Sequence, residues 1–163
     1  MKDKISFVIP TLNEINTIYI TFFKLDKICQ ELKIDYEFVC IDGNSQDGTL
    51  EEIKRCSDYF DIKFETQKNL KGPSHAIMQG INISNGNYIA IIDADNPVTE
   101  KCLKLLIIGR KKKNLVIGSR FLKNSKIRNV SKIKLIFSRI FTLLISVVIK
   151  KKNNRLISLS TNF

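Results

Sequence analysis

The chain has 163 residues, 44% of them hydrophobic and 26% charged, which bounds it at about one globular domain with a buried core. Its net charge of +11 is unevenly spread: all 16 acids lie in residues 1–100, whereas residues 101–163 hold 17 Lys/Arg and no acid. The back of the chain is therefore expected to meet polyanions such as phosphates, anionic lipid or nucleic acid. Four scattered cysteines without a C-x-x-C pair, beside a single histidine, exclude zinc-site spacing and read as buried, reduced thiols. The N-terminus runs directly into an apolar stretch too short for a secretory h-region, so no signal peptide is expected.

In chain order, residues 5–9 (ISFVI) predict a buried strand stopped by Pro10. Thr11 or Asn13 can cap a following helix that runs to about Lys33. Residues 36–41 (YEFVCI) predict a second strand, with a helix from about Asp47. A third strand falls at 62–66 and a loop at 69–72. Pro73 suits the first turn of a helix ending near Ser84, since a missing N–H costs nothing there. Asn85-Gly86 is a turn signal. Residues 88–92 (YIAII) predict a strand running to Asp93, followed by a helix from about Thr99 and a last strand at 114–117. Strands alternating with helices at crossover spacing predict an α/β fold, a mostly parallel sheet flanked by helices.

Residues 41–49 (IDGNSQDGT) resemble a calcium loop in residue type. An EF-hand needs Gly at position 6 and Glu at position 12; counting from Asp42, those positions hold Asp47 and Ile53. The calcium motif fails at both. The loop instead sits where a strand hands over to a helix, the place where open α/β sheets bind ligands. Similar groups follow the other predicted strands: Pro10 to Glu14, Asp93-Ala94-Asp95 and Gly118-Ser119-Arg120. In a parallel sheet these carboxyl ends share one edge.

Each group has a chemistry and a plainer alternative. Asp93 and Asp95 flank one small residue, so in extended geometry both carboxylates face one way and can hold Mg²⁺ or Mn²⁺. The alternative is a solvated turn capping the next helix. Asp42 can accept hydrogen bonds from a ribose or base edge, and Asp47 is expected to cap its helix. Arg120 offers a guanidinium fork that matches a phosphate, or is one more solvated cation. His75 reads as a surface or half-buried histidine rather than a general base.

Residues 132–150 (KIKLIFSRIFTLLISVVIK) are strongly apolar, but Arg139 interrupts them. The uninterrupted runs fall short of the roughly 20 residues a membrane span needs. Ser131, Lys134, Ser138, Thr142 and Ser146 recur every three or four residues and make one polar stripe. Basic residues flank the stretch, as in a helix lying in a membrane interface. Each nearby Lys/Arg adds about 1 kcal/mol of attraction to an anionic leaflet. A core helix is the plainer alternative. A nucleic-acid surface is not expected, because aromatic interleaving is missing.

FVIPTLNE, IDGNSQDGT, KGPSHAIMQGINISNGNYIAIIDAD and VIGSRF, in that order, resemble family 2 glycosyltransferases of the GT-A fold, most of all the dolichyl- or polyprenyl-phosphate sugar transferases. The resemblance covers about residues 4–150. It implies that Pro10, Leu12 and Glu14 line a nucleotide pocket, with Asp42 and Asn44 near base and ribose. It implies that Asp93 and Asp95 hold Mg²⁺ or Mn²⁺ on the sugar-nucleotide diphosphate, that Asp95 and Arg120 serve catalysis, and that Ser138 and Arg139 meet a lipid phosphate. The implied partners are a nucleotide-diphosphate sugar, a lipid phosphate acceptor and an anionic membrane surface, with no nucleic acid. The implied place is peripheral, on the cytoplasmic face of a membrane, and the implied reaction inverts the anomeric centre.

The chain departs from the pattern in three places. Asp42-Gly43 stand where two acids are commoner, Asn96-Pro97 stand where a Gln often follows, and KKKNNRLISLSTNF replaces an acidic-Gly-aromatic-basic segment. The expected organisation is a nucleotide-sugar-binding domain at 1–130, an interfacial helix at 131–150 and a basic tail at 151–163, with the catalytic domain shortened. Two competing expectations are an inactive remnant that binds membrane or a partner, and a transferase acting on a sugar hydroxyl. The latter needs a general base, and no acid follows Glu100.

Overall fold

A computed structural model of the chain describes residues 3–68, 72–95, 98–111 and 115–118, and Met1–Gly118 form one compact unit. The elements are β1 (Lys4–Thr11), α1 (Ile18–Leu32), β2 (Asp35–Asp42), α2 (Thr49–Cys56), β3 (Ile62–Thr66), α3 (Pro73–Ile83), β4 (Tyr88–Ile91) and α4 (Glu100–Gly109). The strands form one sheet in the order β3-β2-β1-β4, parallel throughout.

Alternation along the central strands sorts side chains onto two faces. Ile5, Phe7 and Ile9 of β1 join Phe38 and Cys40 of β2 in one buried cluster with Ile18, Phe22 and Leu25 of α1, Ile53 of α2, and Leu103 and Ile107 of α4. Phe38 sits among Phe22, Phe7 and Phe60, with ring centroids 4.8, 5.9 and 6.0 Å away. The opposite face meets α3 at Gly80, where an added Cβ would lie 2.6 Å from a Val8 methyl and 3.4 Å from Ile41. Alanine would gain helix propensity there, but Val8 is β-branched and fully buried, so it cannot give way cheaply. Gly80→Ala is expected to lower stability by about 1–2 kcal/mol, read as an earlier urea midpoint at unchanged slope.

The far edge of the sheet fixes the register of β4. Glu37 on β2 is completely buried. Its Oε1 accepts from the Ser6 hydroxyl (2.6 Å) and the Asn85 N–H (2.5 Å). Lys63 and Lys4 approach Oε2 at 3.0 and 3.3 Å as ion pairs rather than aligned hydrogen bonds. Ser6 Oγ also accepts from the Gly86 N–H at 2.8 Å, and Asn87 Oδ1 accepts from the Lys4 N–H at 3.2 Å. Successive residues of the turn into β4 are thus tied to β1 and β2.

Three sequence expectations need correction. Pro10 does not end β1, which continues to Thr11. Val8 turns its carbonyl toward Ile92 on the β4 side. Pro10, two residues on, points its nitrogen the same way, but β4 pairing ends at Ile91, so no N–H is needed. Second, α1 begins at Ile18, and neither Thr11 nor Asn13 caps it; Asn13 is left-handed at φ 57° and its side chain is used elsewhere. Third, Leu115–Gly118 carry no strand. Val116 lies against Gly109 and Gly118 against Leu106, so the segment follows α4 instead of extending the sheet. The expectations of Pro73 in the first helical turn and of a helix from about Thr99 agree with the structure, in which Thr99 proves to be the N-cap of α4.

Candidate active site

The chain steps outward from β1 through β2 to β3, then returns to place β4 on the other side of β1. The carboxyl ends of β1 and β4 therefore adjoin where the strand order reverses, the position at which open α/β sheets form a ligand crevice, and the helices that follow them, α1 and α4, share one face. Three of the four sequence-predicted groups reach this edge: the loops after β1, β2 and β4.

The first two loops are laced together. Gly43 N–H donates to the Thr11 carbonyl at 2.8 Å. Asn13 N–H donates to Ser45 Oγ at 2.9 Å, and Asn13 Oδ1 accepts from the Gln46 N–H at 2.9 Å. Glu14 N–H donates to Thr49 Oγ1 at 2.8 Å, and Ile15 N–H to Asp47 Oδ2 at 3.2 Å. Apolar contacts follow the same seam: Leu12 lies over Gly43 and Ile15 over Gly48. Asn13 and Asn44 both take left-handed backbone, φ 57° and 67°, which asparagine tolerates better than most side chains.

Within the seam Asp42 acts as a clamp. It is 1% exposed, and its carboxylate accepts from the Ser45 N–H (2.9 Å), the Ser45 hydroxyl (2.6 Å) and the Thr11 hydroxyl (3.3 Å). Asn44 beside it is exposed. The N-cap of α2 is Gly48 and not the expected Asp47; Asp47, one residue earlier, accepts from the Thr49 N–H and hydroxyl at the start of the helix. The Thr49 hydroxyl, with the Ile15 and Thr49 N–H groups, holds the Asp47 carboxyl below the usual range. Leu12 is exposed, and Glu14 is half-buried with its carboxylate accepting from the Thr17 hydroxyl at 2.6 Å. Pro10 is half-buried at the end of β1.

Across the crevice, Asp93 and Asp95 are both exposed while Ala94 between them is buried. Ala94 belongs to the hydrophobic cluster, and its carbonyl accepts from the Thr21 hydroxyl of α1 at 2.7 Å. The turn is thus anchored by its middle residue with a carboxylate on either side. Among the described residues no three acidic, His or Cys side chains gather as a metal cluster. Two carboxylates with the remaining positions left to phosphate oxygens and water is how Mg²⁺ and Mn²⁺ are commonly held on nucleotides, so the donor set fits such an ion.

Arg120, Ser138, Arg139 and Asn96, along with the expected boundaries at 130 and 150, lie outside the described residues. His75 is exposed on α3. The cysteine thiols at 29, 40 and 56 are buried, and burial pushes all three up, Cys29 to about 12 and Cys56 to about 11; none is a thiolate at neutral pH. Among the described residues no helix is long and apolar enough to cross a membrane. Sequence reasoning missed Thr11, Asn13, Ser45 and Thr49 as the lacing, and Thr21 as the anchor. The one available signal was the density of Ser, Thr and Asn in two loops expected to share an edge.

Comparison with known proteins shows the family and the fold. The chain is 32% identical over 127 residues to dolichol-phosphate mannosyltransferase of Pyrococcus furiosus, covering 77% of this chain and 36% of that protein. It is 31% identical over 123 residues to undecaprenyl-phosphate 4-deoxy-4-formamido-L-arabinose transferase of Proteus mirabilis, covering 72% of this chain and 37% of that one. A mannosyltransferase of Pyrobaculum calidifontis, solved with GDP-Man and Mn²⁺, superposes on 66% of this chain and 32% of its own with a TM-score of 0.51 at 23% identity. The chain therefore spans about a third of the length of these relatives. The fold is of the GT-A type, and the profile described as Glycosyl transferase family 2 matches residues 6–161. The chain belongs to that family and resembles, within it, the polyprenyl-phosphate sugar transferases.

Proposed function

We propose that the chain carries the donor side of a glycosyltransferase that moves a sugar from a nucleotide-diphosphate sugar to a polyprenyl phosphate. The observation that carries this reading is the turn after β4: two exposed carboxylates flank a buried, anchored alanine at the switch point of a parallel sheet. Asp93 and Asp95 would hold Mg²⁺ or Mn²⁺. Bound there, the ion supplies neutralisation of charge on the departing nucleoside diphosphate.

The chain's own residues supply the rest. The laced loops, with Asp42 as clamp, form a rigid floor, and Leu12 and Asn44 are exposed on it to meet base and ribose. Pro10 and Glu14 complete that side of the pocket. Arg120 is assigned to the phosphates and Ser138 and Arg139 to the acceptor phosphate. An acceptor phosphate is already deprotonated, so attack on the anomeric carbon from the face opposite the leaving group needs no strong protein base. Inversion follows from a single displacement. The basic residues beyond position 100 suit attachment to the anionic cytoplasmic face of a membrane.

The test is transfer of radiolabelled mannose or N-acetylhexosamine from GDP- or UDP-linked donors to polyprenyl phosphate in vesicles. Label that enters the organic phase with Mn²⁺ and fails to do so with EDTA is the expected result. Label that appears instead on a soluble sugar acceptor contradicts the acceptor assignment.

A further inference from the structure

Thr21 is an unusual residue for its place. It lies on the buried face of α1 between Ile18, Phe22 and Leu25, and is 2% exposed. A hydroxyl buried without a partner is costly, and a helical threonine ordinarily satisfies its hydroxyl on its own preceding turn. Thr21 instead sends its hydroxyl across to the carbonyl of Ala94, 73 residues away and 2.7 Å distant. Ala94 is the middle residue of the turn that displays Asp93 and Asp95. Its methyl is packed in the core and its carbonyl is bound, so two independent attachments draw the middle of the turn inward while both neighbours stay exposed.

We propose that Thr21 is a positioning residue: its hydroxyl fixes the peptide between the two aspartates and so sets the direction in which both carboxylates present their oxygens. The inference rests on the reading of Asp93 and Asp95 as metal ligands. It extends that reading to a residue that touches neither metal nor nucleotide. The same bond links α1 to the turn after β4. Without it, packing of the alanine methyl alone leaves the peptide able to rotate, because a methyl carries no directional preference. Groups that orient metal ligands from behind are typically worth about 10–100-fold in metal affinity.

The test uses the full 163-residue chain and two substitutions. Thr21→Val keeps the shape and removes the donor; Thr21→Ser keeps the donor and removes a methyl. Mn²⁺ affinity is read by electron paramagnetic resonance in the presence of a nucleoside diphosphate, and nucleotide affinity is read separately in EDTA. The expected result is a loss of Mn²⁺ affinity of about tenfold or more in Thr21→Val, near-complete recovery in Thr21→Ser, and the same EDTA nucleotide affinity in all three proteins. Wild-type Mn²⁺ affinity in Thr21→Val overturns the proposal, since the hydroxyl then only satisfies the core. Equal losses in both variants also overturn it, since packing is then the cause. A wild-type chain that binds nucleotide but no Mn²⁺ removes the metal reading and this inference together. Mn²⁺ binding that is indifferent to Thr21 removes this inference alone.

Discussion

Replacing Asp93 and Asp95 together with alanine abolishes the metal-dependent part of nucleotide binding, while the fold survives. Both carboxylates are exposed, so removing them opens no cavity and strands no buried partner. Ala94 keeps its place in the core and its bond to Thr21. Thermal unfolding of the double variant should therefore match the wild type, in line with surface substitutions, which usually stay within about 0.5 kcal/mol. The effect on binding is different in kind. With the carboxylates gone the ion has no protein ligand among the described residues, and affinity in Mn²⁺ falls to the EDTA level, a drop expected to be on the order of a hundredfold. Calorimetric titration reads both quantities. A double variant that still distinguishes Mn²⁺ from EDTA would place the metal elsewhere.

The second large effect lies at the opposite edge of the sheet. Glu37→Ala removes a carboxylate with four donors around it and leaves two ammonium groups and a backbone N–H facing an empty site. Breaking a buried pair in this way costs about 3–5 kcal/mol, enough to unfold a marginal domain. Glu37→Gln is the gentler probe, because it preserves shape and removes charge. The acid behaviour of the wild type has a defined sign. Burial pushes the Glu37 carboxyl up, but Ser6, the Asn85 N–H, Lys63 and Lys4 outweigh it and hold it at about 2. A folded value below the unfolded one means the stabilisation is complete above the ordinary carboxylate value, near pH 4.5, and is lost as pH falls from there toward 2. The amount is roughly 3 kcal/mol. Urea unfolding from pH 7 to pH 3 should show a steeper loss for wild type than for Glu37→Gln. Parallel pH profiles would mean that the carboxylate contributes no linkage.

These two edges explain what was legible in the sequence. The four strands were, because YIAII and YEFVCI are short, β-rich apolar runs whose termini coincide with changes in residue type. Parallel order followed from helices at crossover length. Helix starts were harder: Thr11 and Asn13 have capping chemistry, but both spend it on a neighbouring loop, and nothing local reveals a partner 31 to 33 residues away. Glu37 gave no warning either. In sequence it is one charge inside an apolar strand, and its meaning comes from Ser6, Lys4, Lys63 and Asn85, which three other segments bring together. The aspartates were legible as a pair, but their anchor was not, since Thr21 belongs to another element. Residues 115–117 misled because a short apolar run suits a strand and a segment lying along a helix equally well.

The central claim is that this edge of the sheet binds a nucleoside diphosphate through a divalent ion at Asp93 and Asp95. Titration of GDP and UDP into the folded chain, once with Mn²⁺ and once with EDTA, tests it most directly. The account predicts that one nucleotide binds in Mn²⁺ and loses that affinity in EDTA, which also names the donor class. Equal affinity with and without the metal, or no binding of either nucleotide by a chain that unfolds cooperatively, would contradict it.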